Sequence, residues 1–139
     1  MNGTAGDNIN KRRTGAEGEK TNKRKTGAKY ETAACRYLEE HGYSVIRRNF
    51  HAGRSGEIDI IAEDSSGILV FCECKYRHDR RYGDPLEAVD RRKQHQICRI
   101  ALRYCMLHNI PSSYPCRFDV IGITGDGTLK HIENAFPFC

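Results

Sequence analysis

The chain has no tryptophan, two methionines and four prolines among 139 residues. Nowhere does an apolar run approach the roughly 18 residues that a membrane-spanning helix needs. No apolar segment of about 7–15 residues follows the first Met as a secretory signal would require. These absences predict a cytoplasmic protein with no membrane partner. Cysteine is present, at Cys35, Cys72, Cys74, Cys98, Cys105, Cys116 and Cys139. The spacing contains no CxxC and no Cys/His zinc pattern, and the odd number argues against a disulfide framework. Reduced thiols are expected, with Cys35, Cys98 and Cys105 packing as small hydrophobes inside helical patterns. The histidines (His41, His51, His78, His95, His108, His131) share no ligand spacing and read as surface residues. A Gly-rich phosphate loop and a nucleophile elbow are also missing.

Charge is distributed unevenly. The first 29 residues hold eight Lys/Arg and three Asp/Glu with almost nothing apolar, leaving 15 of each sign in the remainder. The formal +5 therefore belongs to this segment, which cannot bury enough surface to offset the cost of ordering it. Residues 1–28 read as a disordered basic tail and 29–139 as a single domain, long enough to enclose one core. Within the neutral domain, Lys75 to Arg103 carries nine Lys/Arg against four acids. Such a basic region suits phosphate backbones, whose condensed counterions are released on neutralisation; a solvated helix face laced with i,i+4 pairs is the other account.

The tail contains a near repeat: "KRRTGAEGEK" from Lys11 aligns with "KRKTGAKYET" from Lys23, setting Glu19 against Glu31. Only the second copy runs into an apolar pattern. Ala33, Ala34, Tyr37 and Leu38 share a helical stripe that stops at Gly42, predicting a helix from about Lys29 to His41. Strands are expected at Tyr43–Phe50, Gly56–Asp64 and Ile68–Tyr76, the last two joined by the turn "DSSG" and so antiparallel. Asp84, Pro85 and Glu87 look like a helix start, and the pattern continues to about His108, with Lys93 where an apolar residue is expected. Cys116–Thr124 reads as a strand and Leu129–Glu133 as a weaker one. The order α-β-β-β-α-β-β, its last strand the weaker, indicates an α/β sheet with helices packed on it.

Alternation along a strand puts Glu57 and Asp59 on one face, with Ile58 and Ile60 opposite; in the next strand Glu73 and Lys75 share a face, opposite Cys72 and Cys74. Carboxylates set into buried strands are costly unless paired or bound to a metal. Two of them on neighbouring strands offer oxygens to a hard cation such as Mg²⁺, and a lysine two residues on can orient an attacking water and offset charge on a phosphate. Spacing alone leaves this open against a structural cluster of Asp59, Glu73 and Lys75.

The segment "GEIDIIAED…ILVFCECKYR", preceded by a helix bearing Glu31 and by "GYSVIRRN", resembles the YraN-type family of small bacterial proteins, as does "RFDVI" later in the chain. That family is similar to the archaeal Holliday-junction resolvases of the PD-(D/E)XK nuclease superfamily. The resemblance spans about Thr26 to Ile123. It implies a restriction-endonuclease-like core, a central mixed sheet flanked by helices. It also implies that Asp59, Glu73 and Glu31 bind Mg²⁺ or Mn²⁺, that these acids and Lys75 are catalytic, and that Lys93 is a family lysine on the second long helix. The chain departs from the family pattern at Tyr30, where Gly is usual, and at Cys72 and Cys74, where valines are.

Other residues admit simpler roles. Glu57 reads first as a strand-start acid near solvent and second as an alternate ligand. Arg77, Arg80, Arg81 and Lys93 are candidate nucleic-acid contacts, with Arg54 and His78 as further ones. Asp119 reads as a partner of Arg117. The expectation from all of this is a metal-dependent endonuclease acting on DNA, branched or structured DNA included, with a homodimer suggested by the resolvase likeness. The alternatives are a non-catalytic nucleic-acid-binding module on the same fold and a protein–protein adaptor whose acids are structural.

Overall fold

The computed structural model describes residues 26–79 and 83–139. The expected disorder of the tail up to residue 25, and Arg80 and Arg81, lie outside the described residues. Helix α1, described over residues 26–40, begins before the expected Lys29. Arg48 reaches across from the first strand to the Ala28 carbonyl at 3.5 Å and the Thr32 hydroxyl at 3.2 Å, a tertiary contact that periodicity does not reveal. The helix buries Ala34, Cys35 and Leu38, whereas Ala33 faces out. It ends in a Schellman arrangement: Gly42, at φ 85°, donates to Glu39, and Tyr43 donates back to Leu38.

Five strands follow: β1 (Ser44–His51), β2 (Glu57–Glu63), β3 (Leu69–Arg77), β4 (Cys116–Thr124) and β5 (Leu129–Phe136). They form one mixed sheet in the order β1-β2-β3-β4-β5. Only β3 and β4 run parallel; the other pairs are antiparallel. The parallel crossover carries a 3-10 helix (Pro85–Ala88) and helix α2 (Arg91–Leu107). α1 packs on one face of the sheet with Val70, Cys72, Ile121 and Ile123, and α2 on the other with Phe71, Phe118, Val120 and Phe136. The result is an α/β/α core of the expected class. No helix among the described residues is long and apolar enough to cross a membrane.

Four local expectations are corrected. The helix expected to start at Asp84 and Pro85 and run to His108 is broken in two. Asp84 caps only a single 3-10 turn, Val89 turns inward, and Asp90 caps α2 afresh by accepting from Lys93 N at 2.9 Å. Ile58 and Ile60 do not join the same core: Ile58 belongs to the cluster on the α2 side and Ile60 to that on the α1 side. Nor is there one apolar face and one charged face. Both faces of β3 are core, and Glu73 and Lys75 simply continue the stripe of Leu69 and Phe71. Finally, β5 extends beyond Glu133 to Phe136, since a register shift opposite Asp119 returns its end to the core.

Candidate active site

The ladder between β2 and β3 runs from Glu63↔Leu69 to Ile60↔Cys72 and stops there. β2 nevertheless stays paired with β1 as far as His51↔Glu57, and β3 with β4 as far as Arg77↔Thr124. The sheet therefore opens as a wedge between two strands that are each held from the outside. Across the opening, the Asp59 carboxylate accepts the backbone N–H of Cys74 at 2.8 Å, taking the place of a ladder bond. The N-terminal half of α1, carrying Glu31, and the first turn of α2, carrying Lys93, close the wedge. The cleft so formed has a volume of about 190 Å³ and is lined by Glu31, Glu57, Asp59, Glu73, Lys75 and Lys93, with Tyr30 and Tyr76 beside them.

Carboxylate oxygens of Glu31, Glu57 and Asp59 lie within 4.8 Å of one another. Glu73 stands outside that trio but is close enough for its charge to act on Asp59. Asp59 is 8% exposed and Glu73 5%. Burial, and next the charge of Glu73, push the Asp59 carboxyl up to about 8; the Cys74 N–H opposes this, and Glu31 and Glu57 add to it. Burial also raises Glu73, against the pull of Lys93 and Lys75, whose ammonium groups lie 3.8 and 3.4 Å from its Oε1. At the rim, Arg48 approaches Glu31 at 3.8 Å and His51 approaches Glu57 at 3.0 Å.

This donor set fits a hard divalent cation. It is made wholly of oxygens, contributed by α1 and β2 with Glu73 of β3 beside them, and the two buried acids, Asp59 and Glu73, repel one another as they ionise. Glu31, Glu57 and Asp59 could hold such an ion directly, with Glu73 on the lysine side of Asp59.

The structure brings Glu31, Asp59, Glu73, Lys75 and Lys93 into one cleft. It also adds Glu57, which spacing alone places first near solvent; the signal available was its i,i+2 relation to Asp59. Arg77 is not in the cleft. It lines a neighbouring cavity of about 400 Å³ with Asp84, Pro85, Thr124 and Lys130. Arg54 and His78 are exposed.

His131, expected at the surface, is instead half-buried, with its side chain only 5% exposed. Its Nε2 lies 2.7 Å from Asp119, and its Nδ1 lies 3.1 Å from the Tyr37 hydroxyl. Asp119 is fully buried and does pair with Arg117, whose Nε donates at 3.0 Å and whose Nη1 donates to Asp64 at 2.7 Å. This network braces β5 and α1 on β4, away from the carboxylate cleft.

Comparison with known proteins agrees with the family resemblance of the sequence. The family model described as "Uncharacterised protein family UPF0102" matches residues 30–123. A UPF0102 protein of Symbiobacterium thermophilum is 48% identical over 111 residues, covering 76% of this chain and 91% of the relative. One from Lachnoclostridium phytofermentans is 43% identical over 106 residues, with 76% and 87% covered. A third, from Coxiella burnetii, is 41% identical over 105 residues, with 76% and 86% covered. The matched span contains all six charged residues of the cleft, and the chain belongs to the UPF0102 family, the YraN-type family that its strand motifs resemble.

Proposed function

We propose that this protein is a metal-dependent endonuclease of the cytoplasm that hydrolyses phosphodiester bonds of DNA, branched or otherwise structured DNA being its substrate. The observation that carries the reading is the wedge between β2 and β3, which gathers four acids and two lysines where paired strands would otherwise bury them. Mg²⁺ or Mn²⁺ held by Glu31, Glu57 and Asp59 would polarise a phosphate oxygen and so favour attack by water. Asp59 is already oriented by the Cys74 N–H and needs no rearrangement to present its other oxygen.

Lys75 Nζ, 3.4 Å from Glu73, orients the attacking water and offsets charge that builds on the phosphate. Glu73 keeps that ammonium in place, and Lys93 holds Glu73 from the other side. Arg77, with Arg80, Arg81 and the basic region to Arg103, contacts neighbouring phosphates, and a homodimer would supply two cuts. The paired state of Glu73 favours a second reading, a nucleic-acid-binding module without turnover, because two lysines already engage one acid.

Calorimetric titration of Mg²⁺ and Mn²⁺ into wild type and Asp59→Asn, with and without a four-way DNA junction, separates the two readings when paired with a cleavage assay. Metal binding that Asp59→Asn abolishes, together with metal-dependent cleavage, supports the nuclease. DNA binding that is indifferent to metal and yields no product supports the binding module.

A further inference from the structure

The rings of Tyr30 and Tyr76 stack at the mouth of the cleft, with centroids 4.0 Å apart and planes 15° from parallel. Each belongs to a residue adjacent in sequence to a charged residue of the cleft: Tyr30 precedes Glu31 on α1, and Tyr76 follows Lys75 on β3. Both line the cleft itself. Tyr30 is held on the α1 side of the core, whereas Tyr76 is 37% exposed. An aromatic ring left this open beside a polar cleft lies outside both hydrophobic cores. Lys29 is near enough for its charge to act on the Tyr76 phenol, and Lys75 lies on the other side in sequence. The platform thus has an apolar face and a cation, Lys29, near its phenol.

We propose that Tyr76, backed by Tyr30, is a stacking platform for an unpaired nucleobase whose adjoining phosphate enters the carboxylate cleft. This deepens the nucleic-acid reading above and rests on it. A base within a duplex has both faces covered by its neighbours and cannot lie on a phenol ring; a base in a single strand, a flap or a junction branch point can. The inner ring fixes the outer one, so little side-chain freedom is lost on binding. Stacking on an aromatic side chain contributes about 1–3 kcal/mol per base and tolerates any sequence, corresponding to about 5- to 150-fold in affinity. The chemistry selected is therefore local single-strandedness next to the reacting phosphate, without sequence preference.

The test uses the full chain in EDTA, so that neither metal binding nor cleavage enters it. Fluorescence anisotropy compares a single-stranded oligonucleotide with a duplex of the same length, and 2-aminopurine in the single strand reports stacking through quenching. Wild type should quench 2-aminopurine and bind the single strand more tightly than the duplex. Tyr76→Leu should lose the quenching and at least fivefold in single-strand affinity with duplex affinity unchanged, while Tyr76→Phe should keep both. Thermal melting of each variant registers any loss of fold.

Unchanged quenching and affinity in folded Tyr76→Leu overturn the inference, as does an equal loss for single strand and duplex or an absence of quenching in wild type. Cleavage of a junction in Mg²⁺ without any Tyr76 effect refutes the platform alone. A Tyr76-dependent quench with no cleavage refutes the nuclease alone.

Discussion

Asp59 and Cys74 are joined by a carboxylate-to-backbone hydrogen bond of 2.8 Å, which bridges β2 and β3 just past the last pair of their ladder. One side chain thus bridges two strands and offers an oxygen to the cleft, and two substitutions separate those roles. Asp59→Asn keeps an acceptor for the Cys74 N–H and should fold normally while losing metal binding and cleavage. Asp59→Ala leaves a half-buried N–H without its partner and should cost about 1–3 kcal/mol more in urea unfolding. Equal stability of the two variants would refute the bridging role.

The same carboxyl sets a pH dependence. Its value rises from an ordinary 3.8 to about 8 on folding, so between those limits the unfolded chain has lost a proton that the native one keeps. Stability of the metal-free protein should therefore fall as pH rises from about 4 to about 8 and level off above. For one proton the slope is at most about 1.4 kcal/mol per pH unit. The raised Glu73 acts in the same direction. Saturating Mg²⁺ should raise Tm more at pH 8 than at pH 6, where protons compete for the site. Melting curves in EDTA and in Mg²⁺ check this, and a Tm that responds to neither pH nor metal would count against the cation site.

Lys75→Met removes one of the two ammonium groups beside Glu73. Cleavage should drop by roughly 10²- to 10³-fold, as expected for loss of a preorganised electrostatic contact, while the carboxylate trio retains its metal. Single-turnover rates measured beside a metal titration would show the split. Loss of metal binding as large as the loss of rate would make Lys75 a structural partner only.

Asp119 gives the opposite sign. Burial alone would raise its carboxyl, but bonds from His131, Arg117 and the Asn134 N–H outweigh burial and hold it low. It contributes stability above the ordinary carboxylate range, and that contribution is lost as pH falls through its folded value. Asp119→Ala leaves Arg117 its Asp64 partner but removes the acceptor of His131 and of the Asn134 N–H, and should destabilise by about 1–3 kcal/mol at neutral pH. Its acid-unfolding curve should then be shallower below about pH 4, and a curve parallel to wild type would contradict the assignment.

Gly122, opposite Lys75 in the parallel β3/β4 ladder, faces Pro85 so closely that an added Cβ would overlap the proline ring. Gly122→Ala should lift the 3-10 turn from β4 and cost about 1–3 kcal/mol, measured by chemical unfolding. Pairing it with Pro85→Ala should recover part of the loss, since the opposing ring is then gone.

Much of this architecture was readable along the chain because its signals are local. The Gly42 stop, the Asp64 to Gly67 turn and the apolar strands follow from turn chemistry and short-range periodicity, and the strand pair bearing Asp59 and Glu73 with Lys75 was legible as a charged interruption of that pattern. The break between Ala88 and Arg91 was not. Two competing caps, Asp84 and Asp90, lie six residues apart, and the contact of Pro85 with Gly122 on β4, which no local pattern encodes, accompanies the break. The burial of His131 was hidden for a similar reason, since its partners Asp119 and Tyr37 are 12 and 94 residues away.

The sequence by itself determined the order of elements, the family and the acids and lysines of interest, because each of these rests on residue type and spacing within a few positions. Only the tertiary structure decided that β2 and β3 part at Asp59, that Glu57 joins Glu31 and Asp59, and that Tyr76 stacks on Tyr30. Those outcomes depend on which backbone groups find partners once β1 and β4 pull the strands apart, and on helices delivered from distant parts of the chain. No period in the sequence encodes such a balance.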